Sequence, residues 1–327
     1  MLWKTLLAVV LILLLAAGVA WLFGPREPVD TTITFDPTAI GSDPDTYLAR
    51  TEADIPNLRP NAQKEIVWAY PASRARTPIA LVYVHGFSSA KGETRPLADL
   101  VAASLGANLF YTRLTGHGRD GAAMEQAEVN AWVNDLAEAV AIGRSLGNRV
   151  IVIGSSTGGT LATFGATRPG LMEDVAGLVL ISPNFGLRDR WAFVLDLPWA
   201  RDILPLIGGE TRGFEPASDA QASNWTTSYP IGALVPMAAL VRATLRADIS
   251  DITIPVLALF SRDDQIVDPA ATEAVMARWQ APHELVEVSE SGDPAHHVLA
   301  GDIVSPQTTD ELAARIVAWV ESLPGSD

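Results

Sequence analysis

The sequence predicts an α/β fold: a mostly parallel, doubly wound sheet with a helical cap insertion, preceded by an N-terminal transmembrane helix. Three observations carry this. From about residue 62 onward, apolar runs of strand length alternate with helix-length amphipathic stretches, as a parallel sheet covered on both faces requires. About 70 residues, Pro183 to Ile254, break that alternation with a segment rich in Trp, Pro and Leu. The chain also opens on a long apolar run.

That run, LWKTLLAVVLILLLAAGVAWLF from Leu2 to Phe23, holds one charge, Lys4, and has the roughly 20 apolar residues that cross a bilayer as a helix. Trp3 and Trp21 stand near its ends, where interfacial indoles belong. Residues 1–23 are therefore expected to be a transmembrane helix or signal anchor, with the bulk of the chain outside the cytoplasm. The alternative is a protein secreted after signal cleavage, for which Gly18-Val19-Ala20 is a poor site. Residues 24–61, rich in Pro, Asp and Thr, read as a tether and irregular lead-in.

The domain is expected over residues 62–327. Its strand candidates are EIVWAY, PIALVYVH, ANLFYTRL, RVIVIG, VAGLVLIS, PVLALFS and HELVEVS. Helix candidates lie at Thr94–Leu105, Glu128–Leu146, Gly158–Thr167, Pro269–Trp279 and Thr309–Leu323. The interval at about 183–254 is too long for an ordinary connection and reads as a cap over the C-terminal edge of the sheet, where doubly wound folds place their ligand crevice. A net charge of -15 without a basic run excludes nucleic acid as a partner. The absence of cysteine excludes disulfides and thiolate metal sites and leaves the redox compartment open.

Gly154-Ser155-Ser156-Thr157-Gly158 fits G-x-S-x-G, a pattern that chance alone produces in roughly one such chain in ten. Its setting is more specific: an apolar strand leads in and a helix leads out, so Ser156 would sit on a sharp turn with its hydroxyl above the sheet. A serine hydroxyl needs a base, and the base needs an orienting acid. Of five histidines, His296 and His297 follow the last strand candidate, and His297, directly before an apolar run, is the choice. The acid should end the preceding strand, where SRDDQIVD offers Asp263, Asp264 and Asp268; Asp264 is preferred and Asp263 is second. Oxyanion donors are assigned to the N–H groups of Thr157 and of Phe87, the latter after an early strand. His85 and His117 read as structural.

With HGF at 85–87, RLTGHG at 113–118, GSSTGG at 154–159, SRDDQIV at 261–267 and HHV at 296–298, the chain resembles the α/β-hydrolase superfamily. Within it, the resemblance is to the monoacylglycerol lipase, lysophospholipase and proline-aminopeptidase-like branch, over about Lys64 to Leu323. It implies a serine hydrolase with catalytic Ser156, Asp264 and His297, and no metal or organic cofactor. The expected substrate is a small-molecule ester or lipid with an apolar acyl chain, such as an acylglycerol or lysophospholipid, and the membrane would be met through the N-terminal helix. A peptidase or amidase of the same fold, and a non-catalytic binding protein on this scaffold, are the competing readings. In the cap, Trp191, Phe193, Leu195, Leu197 and Trp199 suit an acyl tunnel, a lipid surface or plain core packing equally well.

Overall fold

The structure, a computed structural model, describes residues 2–325. Seven strands form the main sheet in the order β1-β3-β2-β4-β5-β8-β9: β1 (Glu65–Val67), β2 (Thr77–Val84), β3 (Asn108–Tyr111), β4 (Gly147–Ser155), β5 (Val175–Ile181), β8 (Val256–Phe260) and β9 (His283–Glu287). Only β1 runs antiparallel to its neighbour. Each of the seven apolar runs in the sequence supplies one of these strands. The central ones read as continuous apolar runs because a parallel sheet buries both faces.

Alternate side chains of these strands enter two cores. Leu81, Tyr83, Ile151, Ile153, Val179 and Leu257 face α3 (Leu97–Leu105) and α10 (Pro306–Ser322). Val82, Val84, Val150, Val152, Leu178 and Val256 face the opposite core, which includes α4 (Val129–Leu146), α5 (Thr157–Ala166) and α9 (Pro269–Met276). Between the parallel neighbours β5 and β8 lie α6 (Ala200–Gly208), the two-stranded ribbon of β6 (Thr211–Gly213) and β7 (Ser228–Pro230), α7 (Asp219–Asn224) and α8 (Leu234–Arg246). Parallel strands need a crossover, and α8 supplies it, packing on α5.

The N-terminal segment is more structured than a free linker. The helix α1 (Leu2–Phe23) has no buried residue and is long and apolar enough to cross a membrane. Beyond it, Thr34 and Phe35 N–H groups donate to Asn134 Oδ1 on α4. In α2 (Pro44–Glu52), Tyr47 donates to the buried Glu138, and Glu52 takes a two-pronged bond from Arg113 at 2.8 and 3.1 Å. The lead-in thereby braces the RLTGHG loop.

Candidate active site

The turn between β4 and α5 places Ser156 at φ 49°, ψ -115°, left-handed backbone that a non-glycine residue adopts only under constraint. The constraint is visible on both sides. Ser156 N–H donates to Ile181 O at 2.8 Å, and its own carbonyl accepts from Thr160 and Asn184 N–H. The flanking glycines have a steric reason: a Cβ on Gly158 would lie 2.1 Å from Val84 O, and one on Gly154 2.7 Å from Gly158 O. The chain can turn this sharply only where those side chains are missing.

Two loops from the same edge of the sheet meet the serine. Ser156 Oγ and His297 Nε2 are 3.0 Å apart, and His297 Nδ1 is 2.8 Å from Asp264 Oδ2. A carboxylate only accepts, so Nδ1 carries the proton, and Nε2 is left to accept from the serine hydroxyl. The other Asp264 oxygen accepts from the N–H groups of Ile266 and Val267, which fixes the carboxylate on its own turn. Burial opposes the His297 imidazolium, but the bond and charge of Asp264 outweigh it, with Asp293 and Glu93 adding to them; the net direction is above the ordinary imidazole value.

The other candidates fall elsewhere. Asp263 is exposed, and Asp268 caps α9 by accepting from Ala270 N–H. His296 precedes the histidine that meets the serine and stands in left-handed backbone, φ 52°. His85 accepts from Leu114 N–H through Nε2 and donates through Nδ1 to Gly86 O. Burial pushes its pKa down to about 4 and holds that of the neighbouring His117 well below the ordinary imidazole value, so both are neutral loop-shaping groups. Among the described residues, no three His, Asp or Glu side chains converge as a metal-binding group.

Phe87 follows the turn after β2, and Thr157 opens α5, where the helix dipole favours negative charge. Neither N–H finds a protein acceptor among the described residues. The Phe87 loop lies against the serine, since a Cβ on Gly86 would be 3.1 Å from Ser156 Cβ. Two residues that the motifs did not single out hold these loops. Asp293 accepts from the N–H groups of Ala295, His297 and Val298 and so shapes the histidine loop. Glu93, buried, accepts from Gly86 N–H at 2.7 Å and from Tyr83 OH at 2.8 Å. Burial raises its pKa, against the lowering by its hydroxyl and N–H donors, which include Ser89 and Ser155. The SGDP turn could have signalled Asp293; a lone loop glutamate gives no signal.

A protein described as a thermostable monoacylglycerol lipase, from Bacillus sp. (strain H-257), is 26% identical over 239 residues, 73% of this chain and 90% of that relative. A solved structure from LipS and LipT, two metagenome-derived lipolytic enzymes, superposes with a TM-score of 0.64 at 19% identity, covering 81% of this chain and 99% of the other. A soluble variant of monoglyceride lipase from Saccharomyces cerevisiae, solved with a substrate analogue, gives 0.60 at 15% identity over 79% and 90% of the two chains. At these identities the structural likenesses speak for the fold, which is the α/β-hydrolase fold with its sheet mostly parallel. Residues 76–299, more than half of the chain, match the family Hydrolase_4, serine aminopeptidase S33, and the chain belongs to that family.

Proposed function

We propose that this protein hydrolyses carboxylic esters with apolar acyl chains through an acyl-enzyme on Ser156, with α1 as its membrane anchor. The observation that carries the reading is the unbroken line Ser156 Oγ, His297, Asp264 at 3.0 and 2.8 Å on a strained strand-to-helix turn. Ser156 Oγ attacks the ester carbonyl carbon while His297 Nε2 takes its proton. The oxygen that gains charge faces the Phe87 and Thr157 N–H groups. Collapse breaks the bond to the alcohol, which leaves with the proton from His297. Water then attacks the acyl-enzyme, its proton passing through His297 back to Ser156.

The relative described as a monoacylglycerol lipase makes monoacylglycerol the first substrate to try. The family's description favours aminopeptidase chemistry as the second reading. Against it, an aminopeptidase needs cap acids to hold a substrate ammonium, and Glu210, Glu215 and Asp219 of the cap are all exposed. A fluorophosphonate probe should label the wild type and leave Ser156→Ala unlabelled; labelling of that variant would remove Ser156 as nucleophile. Esters of graded chain length assayed beside aminoacyl anilides separate the two substrate classes. Orientation follows from the sparse charges flanking α1, which favour the domain outside the cytoplasm, and a reporter fused after Leu323 reads it directly.

A further inference from the structure

Outside α1, eleven large hydrophobic side chains are exposed among the described residues, and six of them, Trp191, Phe193, Trp199, Leu206, Ile207 and Phe214, fall in one short stretch of the cap. The stretch is ambiguous as sequence, and the structure divides it: Leu195 is buried in the core, while Trp191 and Phe193 point outward with their rings 6.0 Å apart. Soluble proteins do not usually concentrate apolar surface in this way without a use for it.

The exit of α1 rests on the same stretch. A Cβ on Gly24 would lie 2.5 Å from Pro198 Cβ and 2.6 Å from the Trp199 ring, so the chain passes there only as glycine. Trp199 N–H donates to Pro25 O at 2.8 Å, and Trp199 is itself held left-handed at φ 57°. Arg26 reaches back to Trp21 O at 2.7 Å, lies over the Trp21 ring, and also donates to Asp196 O. Arg201, in the first turn of α6, grips Glu27 with both prongs at 2.6 and 2.7 Å. Arg242 closes the group through Asp196 and Glu27 O. The last turn of α1 and the first four residues after it are therefore tied to the cap.

We propose that residues 24–27 are a clamp that holds the apolar face of the cap against the bilayer in which α1 sits, so that lipid substrate is taken up from the membrane. The proposal rests on the reading of α1 as an anchor. The occupant follows from continuity: α1 ends two residues before Pro25, whose carbonyl accepts from Trp199 N–H, so a bilayer around α1 would begin beside Trp199, and the end of α6 lies no further than about 14 Å from that contact by its rise per residue. Indoles at this level match the belt that Trp forms at a membrane surface. An amphipathic apolar face of this kind lies in the boundary between headgroups and acyl chains.

The absence of cysteine permits a direct test. The full chain carrying Phe193→Cys, labelled with an environment-sensitive fluorophore, is reconstituted in phosphatidylcholine vesicles in three backgrounds: wild type, Arg201→Glu, and the swap Glu27→Arg with Arg201→Glu. Expected are a blue-shifted label quenched by spin-labelled lipid in the wild type, loss of both in Arg201→Glu, and their return in the swap. With Phe193 restored, hydrolysis of monoacylglycerol in vesicles should fall about fivefold or more in Arg201→Glu, as a lost local concentration predicts, while a soluble short-chain ester is cleaved as before. A water-exposed label on a chain that floats with the vesicles overturns the clamp alone. A blue shift that follows protein density and ignores lipid quenchers overturns it in favour of a second copy of the chain. Failure to float overturns the anchor, and the clamp with it; failure on the soluble ester in the wild type bears on the hydrolase reading instead.

Discussion

Ser156 and Trp199 both carry a side chain in left-handed backbone, at φ 49° and 57°, and they are held there by different means. Around Ser156 the constraint is core: β5 takes its N–H, α5 takes its carbonyl, and the backbone of β2 stands where any side chain on Gly158 would go. Around Trp199 it is more peripheral: α6 takes its carbonyl through the N–H groups of Asp202 and Ile203, but its N–H goes to Pro25 O on the N-terminal segment, ion pairs stand nearby, and the residue is left 42% exposed. Each such residue costs about 1–3 kcal/mol. The elbow is enforced by the fold, whatever the N-terminal segment does. The conformation at Trp199 is shared between α6 and that segment, so it should respond in part to changes there and to salt.

The largest test of the rigid side is Asp264→Asn, which lets His297 adopt the wrong tautomer and should lower kcat by about 10³- to 10⁴-fold. In the proposed mechanism His297 must be neutral, and its folded-state pKa is raised, so wild-type kcat/KM should fall as pH drops through a value above the ordinary imidazole one. In Asp264→Asn the residual acid limb should move to lower pH; an unmoved limb would detach Asp264 from the histidine. Next comes Gly158→Ala, whose methyl meets a backbone oxygen that cannot move aside. It should cost about 3 kcal/mol or more in urea unfolding.

Glu93→Leu probes whether the Phe87 loop depends on one buried acceptor, with an expected loss of about 10- to 100-fold in kcat at unchanged KM. Glu93→Gln keeps an acceptor for Gly86 and should retain most of kcat. It also removes a charge that raises the His297 pKa, so the acid limb should shift down slightly. A leucine variant as active as the glutamine one would leave Glu93 no positioning role. The smallest effect belongs to the peripheral side. Trp199→Gly relieves backbone strain and should leave thermal stability unchanged or raised, and a loss above about 2 kcal/mol would shift the weight from the backbone to the ring.

Local pattern carried the sheet and the elbow into the sequence. The central strands are apolar on both faces, and the order Ser156, Asp264, His297 follows from which strand ends share an edge. Contacts between distant segments left no such trace. Glu27 and Arg201 are 174 residues apart, and each alone is an unremarkable surface charge. Glu93 ends a single 3-10 turn between β2 and α3, where glutamate is ordinarily solvated, and only the fold reveals that Gly86 and Tyr83 enclose it. At β1, the six-residue run EIVWAY yields a three-residue strand, because Trp68 turns away to donate its indole N–H to Asp45 and Ala69 N–H donates to the side chain of Asn108. The helix α8 was hidden in the cap interval, though two parallel strands on either side of it required a crossover.

Gly24 and Pro25 are all that separate the end of α1 from its contact with the cap. With α1 in a bilayer, so little slack confines the domain to a shell at the surface, and its search for substrate becomes lateral diffusion in a plane. The quantity that sets its rate is then the mole fraction of ester among the surrounding lipids. Diluting the vesicles in buffer should leave turnover per enzyme unchanged, while diluting the ester with inert lipid should lower it in proportion.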